Sequence, residues 1–179
     1  MRRINSLSKK RKTSAKSYKC SNIEDIVRKG LYTNGYRYRT NVYSLPGRPD
    51  LVLPKYNAII FINGCYWHAH DCDLFKIPDT NRGSWLKKFG ETVDRDEKNI
   101  KILIEGGWRV CIVWECALKQ DTSKSINLIS DWLKTECDLL EIRDEGTNFL
   151  SDKYNIYKNL INIDNIQLKT SSIRERQDG

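Results

Sequence analysis

Apolar residues Ile23, Ile26, Val27 and Leu31 recur at steps of three and four, the spacing of one buried helix face. Ser21 or Asn22 can cap that helix and Gly35 stands at its exit, so Glu24 falls in the first turn. Residues 36–42 alternate aromatic and basic side chains (Tyr36, Arg37, Tyr38, Arg39), which predicts a strand with one polar face. The loop Ser44-Leu45-Pro46-Gly47-Arg48-Pro49 then sets Asp50 at the mouth of a short apolar segment, Leu51-Val52-Leu53. A turn at 54–57 leads into the continuous apolar run 58–62, which predicts a central, buried strand. After an irregular segment over 63–84 comes a helical stretch, 84–105, with Val93, Ile100, Leu103 and Ile104 on its buried side. A break near Gly90 and a stop at Gly106-Gly107 are expected. Residues 108–114 (WRVCIVW) predict another buried strand, and Ile126, Ile129, Trp132 and Leu133 mark a further amphipathic helix. The order helix, three strands, helix, strand, helix predicts an α/β sandwich around a mixed sheet. From Asp138 onward the Asn- and Asp-rich sequence shows no clear period. The expected organisation is therefore an arm over 1–20, a folded domain over 21–136 and a C-terminal extension over 137–179.

Composition changes this picture in two places. At 179 residues, with 39% hydrophobic and 30% charged residues, the chain is long enough for one cored domain and too apolar in its middle to be disordered throughout. No apolar run approaches the roughly 18 residues of a membrane span, and the basic N-terminus lacks the hydrophobic stretch of a secretory signal. The expectation is a soluble, cytoplasmic protein whose six cysteines serve as thiols or metal ligands rather than disulfides. Charge is the second point: the net +8 lies wholly in residues 1–19, which hold eight bases and no acid. Such an arm can neutralise phosphates, and a solubility tail or address signal would look the same.

Both histidines and two of the six cysteines fall within Cys65-Tyr66-Trp67-His68-Ala69-His70-Asp71-Cys72. Thiolates with imidazole suit a tetrahedral zinc ion, and Cys65, His70 and Cys72 offer three ligands from one loop. Cys116 is the better fourth ligand, because it lies just past a strand end whereas Cys111 lies inside the strand. Four protein ligands would fill the coordination sphere and make the zinc structural. His68 is then free to move protons near neutral pH. Adjacent strands lie only about 4.8 Å apart. Asp50, the main-chain oxygen of Ile62 or Asn63, and Glu24 can therefore converge on one hard cation, for which magnesium is suited. Together these parts suggest hydrolysis of a phosphodiester.

The residues that carry this chemistry also carry a resemblance. Ser44-Leu45-Pro46-Gly47-Arg48-Pro49-Asp50, the segment from Phe61 through Cys72, Leu74-Phe75-Lys76-Ile77-Pro78, Gly107-Trp108-Arg109-Val110 and Val113-Trp114-Glu115-Cys116 closely resemble the very-short-patch-repair (Vsr) DNA mismatch endonucleases, over roughly residues 22–120. The resemblance implies a restriction-endonuclease-like fold, a three-layer sandwich with a central mixed sheet flanked by helices and a structural zinc loop. It implies a magnesium-dependent enzyme that nicks one strand 5′ to the thymine of a T:G mismatch left by deamination of 5-methylcytosine. Asp50 and the Ile62 carbonyl would bind magnesium, Glu24 would support the waters around it, and His68 would be the catalytic histidine. Cys65, His70, Cys72 and Cys116 would hold zinc. Tyr66, Trp67 and Trp85 stand where the family pushes aromatic side chains into the base stack, and Lys88 stands where it has a lysine near the mismatched bases. The implied partner is mismatched double-stranded DNA, with mismatch-repair proteins as further candidates. The implied setting is a monomer, not membrane-bound, at the bacterial nucleoid.

Several positions depart from the family pattern. Asn63 replaces a histidine commonly found there, so a phosphate contact from it would be uncharged. Thr92 replaces an asparagine near the mismatch. Met1-Arg2-Arg3-Ile4 stands farther upstream than the family's similar element. Asp96 is a candidate to orient His68. The Glu-x-Lys pair common in restriction nucleases is absent at Ile62-Asn63-Gly64. Two other readings share the same residues: a restriction or nicking endonuclease acting on matched DNA, and a non-catalytic, zinc-stabilised DNA-binding module.

Overall fold

The computed structural model describes residues 22–40, 42–144 and the backbone of 146–150. The basic arm expected over 1–20 and residues 151–179 of the expected extension lie outside the described residues. The element order is α1 (Asn22–Thr33), β1 (Leu51–Leu53), β2 (Ala58–Asn63), α2 (Arg82–Glu105), β3 (Arg109–Trp114), α3 (Glu115–Gln120), α4 (Thr122–Trp132), β4 (Leu139–Arg143) and β5 (Gly146–Leu150). The strands form one sheet in the order β1-β2-β3-β4-β5. Its centre is parallel, β2 to β3 to β4, and both outer pairs are antiparallel, so the sheet is mixed as the sequence predicts.

Alternation along the strands divides the core into two. Leu51, Leu53, Ile60, Ile62, Cys111, Val113, Leu140 and Ile142 face Val27 and Leu31 of α1 and Ile129 and Trp132 of α4. Val52, Ile59, Val110, Ile112 and Leu139 face Ile100 and Leu103 of α2 on the other side. Because both faces are covered, β2 and β3 read as unbroken apolar runs rather than alternating ones.

Helix ends follow the local chemistry. Glu24 and Asp25 in the first turn of α1 meet the positive end of its dipole. At its exit, Gly35 takes φ 88° while the Tyr36 amide returns to the Leu31 carbonyl at 3.0 Å. Gly107 does the same for α2 with φ 83°, and the Trp108 amide bonds the Leu103 carbonyl at 3.0 Å.

Three expectations need correction. The strand predicted over 36–42 is reduced to one bridge, Arg39 with Val52, held by reciprocal bonds of 2.8 and 2.9 Å. The side chains do alternate, but β1 is only three residues long and leaves room for a single such pair. The break expected at Gly90 is absent, and α2 runs through it. Phe89 and Val93 on either side pack beneath Tyr66, Phe75 and Trp85, and that burial offsets the roughly 1 kcal/mol cost of an interior glycine. Finally, the boundary expected at residue 136 cuts the sheet: β4 pairs with β3, and Leu139, Leu140 and Ile142 are core.

Candidate active site and metal centre

The loop before β1 is shaped by two consecutive residues in the left-handed region, Gly47 (φ 72°) and Arg48 (φ 51°). A Cβ on Gly47 would meet the Phe61 ring at 3.1 Å, so glycine is required there for the loop to lie flat against β2. The loop hands Asp50 to the start of β1, where its Oδ2 accepts the Ile62 amide at 2.7 Å. Burial pushes the Asp50 carboxyl up to about 6, against the Ile62 amide, which favours the charged form. Glu24 pushes the same way as burial, while Arg28 and His68 oppose it. Groups from α1, the β1 strand end and the histidine loop therefore share one electrostatic neighbourhood. Glu24 itself accepts from Arg28 Nη2 at 3.0 Å, one helical turn on.

His68 is fixed from the far side. Its Nδ1 lies 2.6 Å from Asp96 Oδ2 on α2, and Arg95 holds the other carboxylate oxygen through Nη2 at 3.0 Å and Nε at 3.3 Å. With Nδ1 engaged, Nε2 is the nitrogen left to exchange a proton. The ring borders a cavity of about 480 Å³ whose walls include His68, Arg48, Asn63, Arg95, Asp96 and Asn99.

On the other flank of this loop the side chains of Cys65, His70, Cys72 and Cys116 bring their ligand atoms within 4.8 Å of one another. His70 Nδ1 lies 3.5 Å from Cys116 Sγ, and the Cys116 amide donates to Cys65 Sγ at 3.3 Å. The Cys116 thiol is lowered to about 5, first by the thiol of Cys65 and then by His70 against burial, while Cys65 is pushed up by the same pairing. The His70 ring stacks on Trp114 at 4.1 Å and 11°, and its Nε2 is buried with no hydrogen-bond partner. Three thiols and an imidazole at this spacing form a donor set that fits a soft, tetrahedral ion, whose edges are about 3.8 Å for metal–sulfur bonds of about 2.3 Å. The short helix α3, absent from the sequence reading, begins at Glu115. Glu115 Oε2 accepts the Cys65 amide at 3.3 Å, tying the two halves of the cluster together.

Between the two centres the loop raises an aromatic face. Tyr66 packs edge-on against Trp67, Trp85 and Phe89, with ring centroids 5.1, 6.0 and 5.5 Å away. Trp67 is 58% exposed, and the Lys88 ammonium sits over both indoles, 5.5 Å from Trp67 and 5.0 Å from Trp85. Trp114, by contrast, is core, with its Nε1 bonded to the buried Glu141 at 2.7 Å.

Comparison with known proteins bears on this arrangement. The chain is 41% identical over 133 residues to the DNA mismatch endonuclease Vsr of Escherichia coli, covering 72% of this chain and 85% of that one. The family described as DNA mismatch endonuclease Vsr also matches residues 5–74. The chain belongs to the Vsr family. Other relatives are the type II nicking enzymes V.NmeAIP of Neisseria meningitidis and V.XorIIP of Xanthomonas oryzae. The first is 45% identical over 54% of this chain and 69% of the relative, the second 38% identical over 53% and 70%.

Within this Vsr-family chain, the side chains singled out in the sequence fall into three adjoining groups: Asp50, Glu24 and His68; Cys65, His70, Cys72 and Cys116; and Tyr66, Trp67, Trp85 and Lys88. Asn63, at the end of β2, is 9% exposed and lines the cavity beside His68. Arg48, Arg95 and Asn99 line the same cavity and were not singled out. Arg48 stands inside the Pro-Gly-Arg-Pro motif, but Arg95 and Asn99 are 47 and 51 residues away in sequence, so only the fold unites the three.

Proposed function

We propose that this protein nicks one strand of duplex DNA 5′ to the thymine of a T:G mismatch, by magnesium-dependent phosphodiester hydrolysis that initiates very short patch repair. One observation carries the reading: Asp50, a carboxylate after a proline-flanked turn, accepts the Ile62 amide at 2.7 Å near the end of β2, and the Cys/His loop that leaves the same strand end carries His68, held by Asp96 at 2.6 Å. Asp50, the Ile62 carbonyl and Glu24 are the residues that would hold magnesium, which would neutralise the scissile phosphate and the leaving oxygen. His68 Nε2 accepts a proton from the attacking water, and Asp96 keeps Nδ1 occupied so that the ring presents the basic nitrogen. Trp67, backed by Tyr66 and Trp85, enters the base stack, and Lys88 approaches the mismatched bases. Unstacking costs a few kcal/mol, less at a mispaired step, so weak pairing is read as energy.

Cys65, His70, Cys72 and Cys116 hold a structural zinc that keeps the aromatic and catalytic parts of the loop in place. The overall architecture is read as restriction-endonuclease-like, three layers around the mixed sheet, with a basic arm ahead of it and an extension behind. The protein acts as a monomer on nucleoid DNA in the cytoplasm, with mismatch-repair proteins as further partners. Among the described residues, no helix is long and apolar enough to cross a membrane.

The relatives described as nicking enzymes favour a second reading, in which the same machinery cuts at a matched recognition site. Purified protein with magnesium should nick a T:G duplex and leave the T:A counterpart intact. Equal cutting of both would transfer the assignment to the second reading. If neither is cut but both are bound tightly, the chain is a non-catalytic DNA-binding module.

A further inference from the structure

One acid is buried in β4, and the nicking chemistry makes no use of it. Glu141 is 1% exposed, in a strand where Leu139, Leu140 and Ile142 are all buried and apolar. Taking a carboxylate out of water is costly unless hydrogen bonds replace the lost hydration, and a leucine of similar size would carry no such cost. Glu141 meets an indole: Trp114 Nε1 donates to its Oε1 at 2.7 Å. Trp114 is itself buried and ends β3, two residues before Cys116. The face of that indole carries the His70 ring, nearly parallel at 11° with centroids 4.1 Å apart. A histidine that ligates a metal commonly gives its other ring N–H to a carboxylate or carbonyl, which fixes the ring. Here Nδ1 lies 3.5 Å from Cys116 Sγ, and Nε2 is buried with no hydrogen-bond partner. The imidazole is therefore held by its face rather than by its second nitrogen.

We propose that Glu141 is a positioning residue for the Cys/His metal site, acting through the Trp114 indole on the His70 imidazole. The inference rests on the zinc reading above. An indole N–H drawn toward a carboxylate leaves the ring richer in electrons. An imidazole that gives a lone pair to a dication becomes poorer in them, so the stacked pair attract each other more strongly in the loaded site than in the empty one. The stack sets the tilt of the His70 ring, and the carboxylate charge behind it favours the loaded state at one remove. β4 reaches the cluster a second time, where the Asp144 amide just past its end hydrogen-bonds the Cys116 sulfur and favours the thiolate. A strand outside the Cys/His loop thus helps to hold the loop's metal ligands.

The test is zinc affinity of the full chain, read by competition with a chelator at a temperature where circular dichroism shows each variant folded. Glu141→Gln keeps the size and an oxygen for the indole N–H but removes the charge, and Glu141→Met fills the space with neither. Each should bind zinc about 10-fold more weakly than wild type, or worse. Trp114→Phe keeps an aromatic face without the donor. In that background Glu141→Gln should change zinc affinity by less than about twofold, because its route to His70 is gone. A purely structural Glu141 would not show this dependence on the indole. Wild-type affinity in both Glu141 variants, or an equal loss with and without the indole, would overturn the inference. Wild-type protein that holds no zinc overturns the zinc reading and this inference with it, whereas zinc held equally by wild type and the Glu141 variants overturns this inference alone.

Discussion

Asp50 sets folding against the metal-holding role proposed for it at a single residue. Burial raises its carboxyl from the ordinary value to about 6, so the folded chain binds that proton more tightly than the unfolded chain does. The cost of the buried charge is therefore fully present above about pH 6 and is relieved as pH falls through 6 toward 4. Asp50→Asn removes the charge yet keeps an oxygen to accept the Ile62 amide. In metal-free buffer at pH 7.5 the variant should be more stable than wild type by on the order of 2–3 kcal/mol, visible as a higher melting temperature. It should nonetheless have no measurable nicking activity. A variant that is destabilised would show that Asp50 is held by attractive contacts rather than against desolvation. The same proton competes with a cation for the carboxylate, so wild-type nicking should fall as pH drops below about 6. His68 and Asp96 make a second prediction at this scale. The 2.6 Å contact fixes the ring, and Asp96→Asn should lower the single-turnover rate by at least about 100-fold while DNA affinity changes little. A loss under threefold would leave Asp96 as a surface partner of Arg95.

At the scale of elements, what was legible in the sequence followed from periodicity and from local clusters. β2 and β3 announce themselves as buried runs, and the eight-residue stretch holding both histidines shows its donor set without any structure. What was not legible needed a partner. Residues 36–42 have a strand's alternation, but whether they pair depends on the length of β1, a property of another segment. The six residues of α3 are too few for a period, and β4 hides in an Asp- and Asn-rich context although Leu139, Leu140 and Ile142 are core. Arg95 and Asn99 look like ordinary exposed helix residues until α2 is laid beside the loop at Arg48. The histidine loop is the element on which site and stability meet. It has little regular structure, and its backbone is drawn together by Glu115 and the Cys/His cluster. Elemental analysis should find one zinc per chain, and Cys116→Ser should lower both zinc content and melting temperature. The loss should exceed about 3 kcal/mol, because structural zinc sites carry folding free energy outright. Protein that contains no zinc and melts unchanged would leave the cluster as packed thiols. Trp67, exposed at the tip of this element, has little core to lose. Trp67→Ala should keep the fold but reduce T:G nicking by about 10- to 100-fold, the equivalent of about 1–3 kcal/mol of base stacking.

The whole molecule divides its labour by charge. Residues 20–179 carry 23 bases and 23 acids, so this part of the chain has no net charge with which to attract DNA over distance. The cations it brings to the candidate site are local: Lys88 over two indoles, Arg48 and Arg95 at the cavity, and Arg28 against Glu24. Long-range attraction must come from the eight bases of residues 1–19. Each phosphate they neutralise releases condensed counterions, so affinity should fall with salt at a slope of about 0.9 per contact, up to about 7 for all eight. Deleting residues 2–19 should weaken binding of T:G and T:A duplexes by the same factor and flatten the salt dependence. The ratio of T:G to T:A affinity should survive, because the groups that read the mismatch stay on the folded part. Titrations of full-length and truncated protein at several salt concentrations separate these effects. An unchanged slope would mean that the arm does not touch phosphates. A changed T:G preference would mean that it reads bases as well as charge.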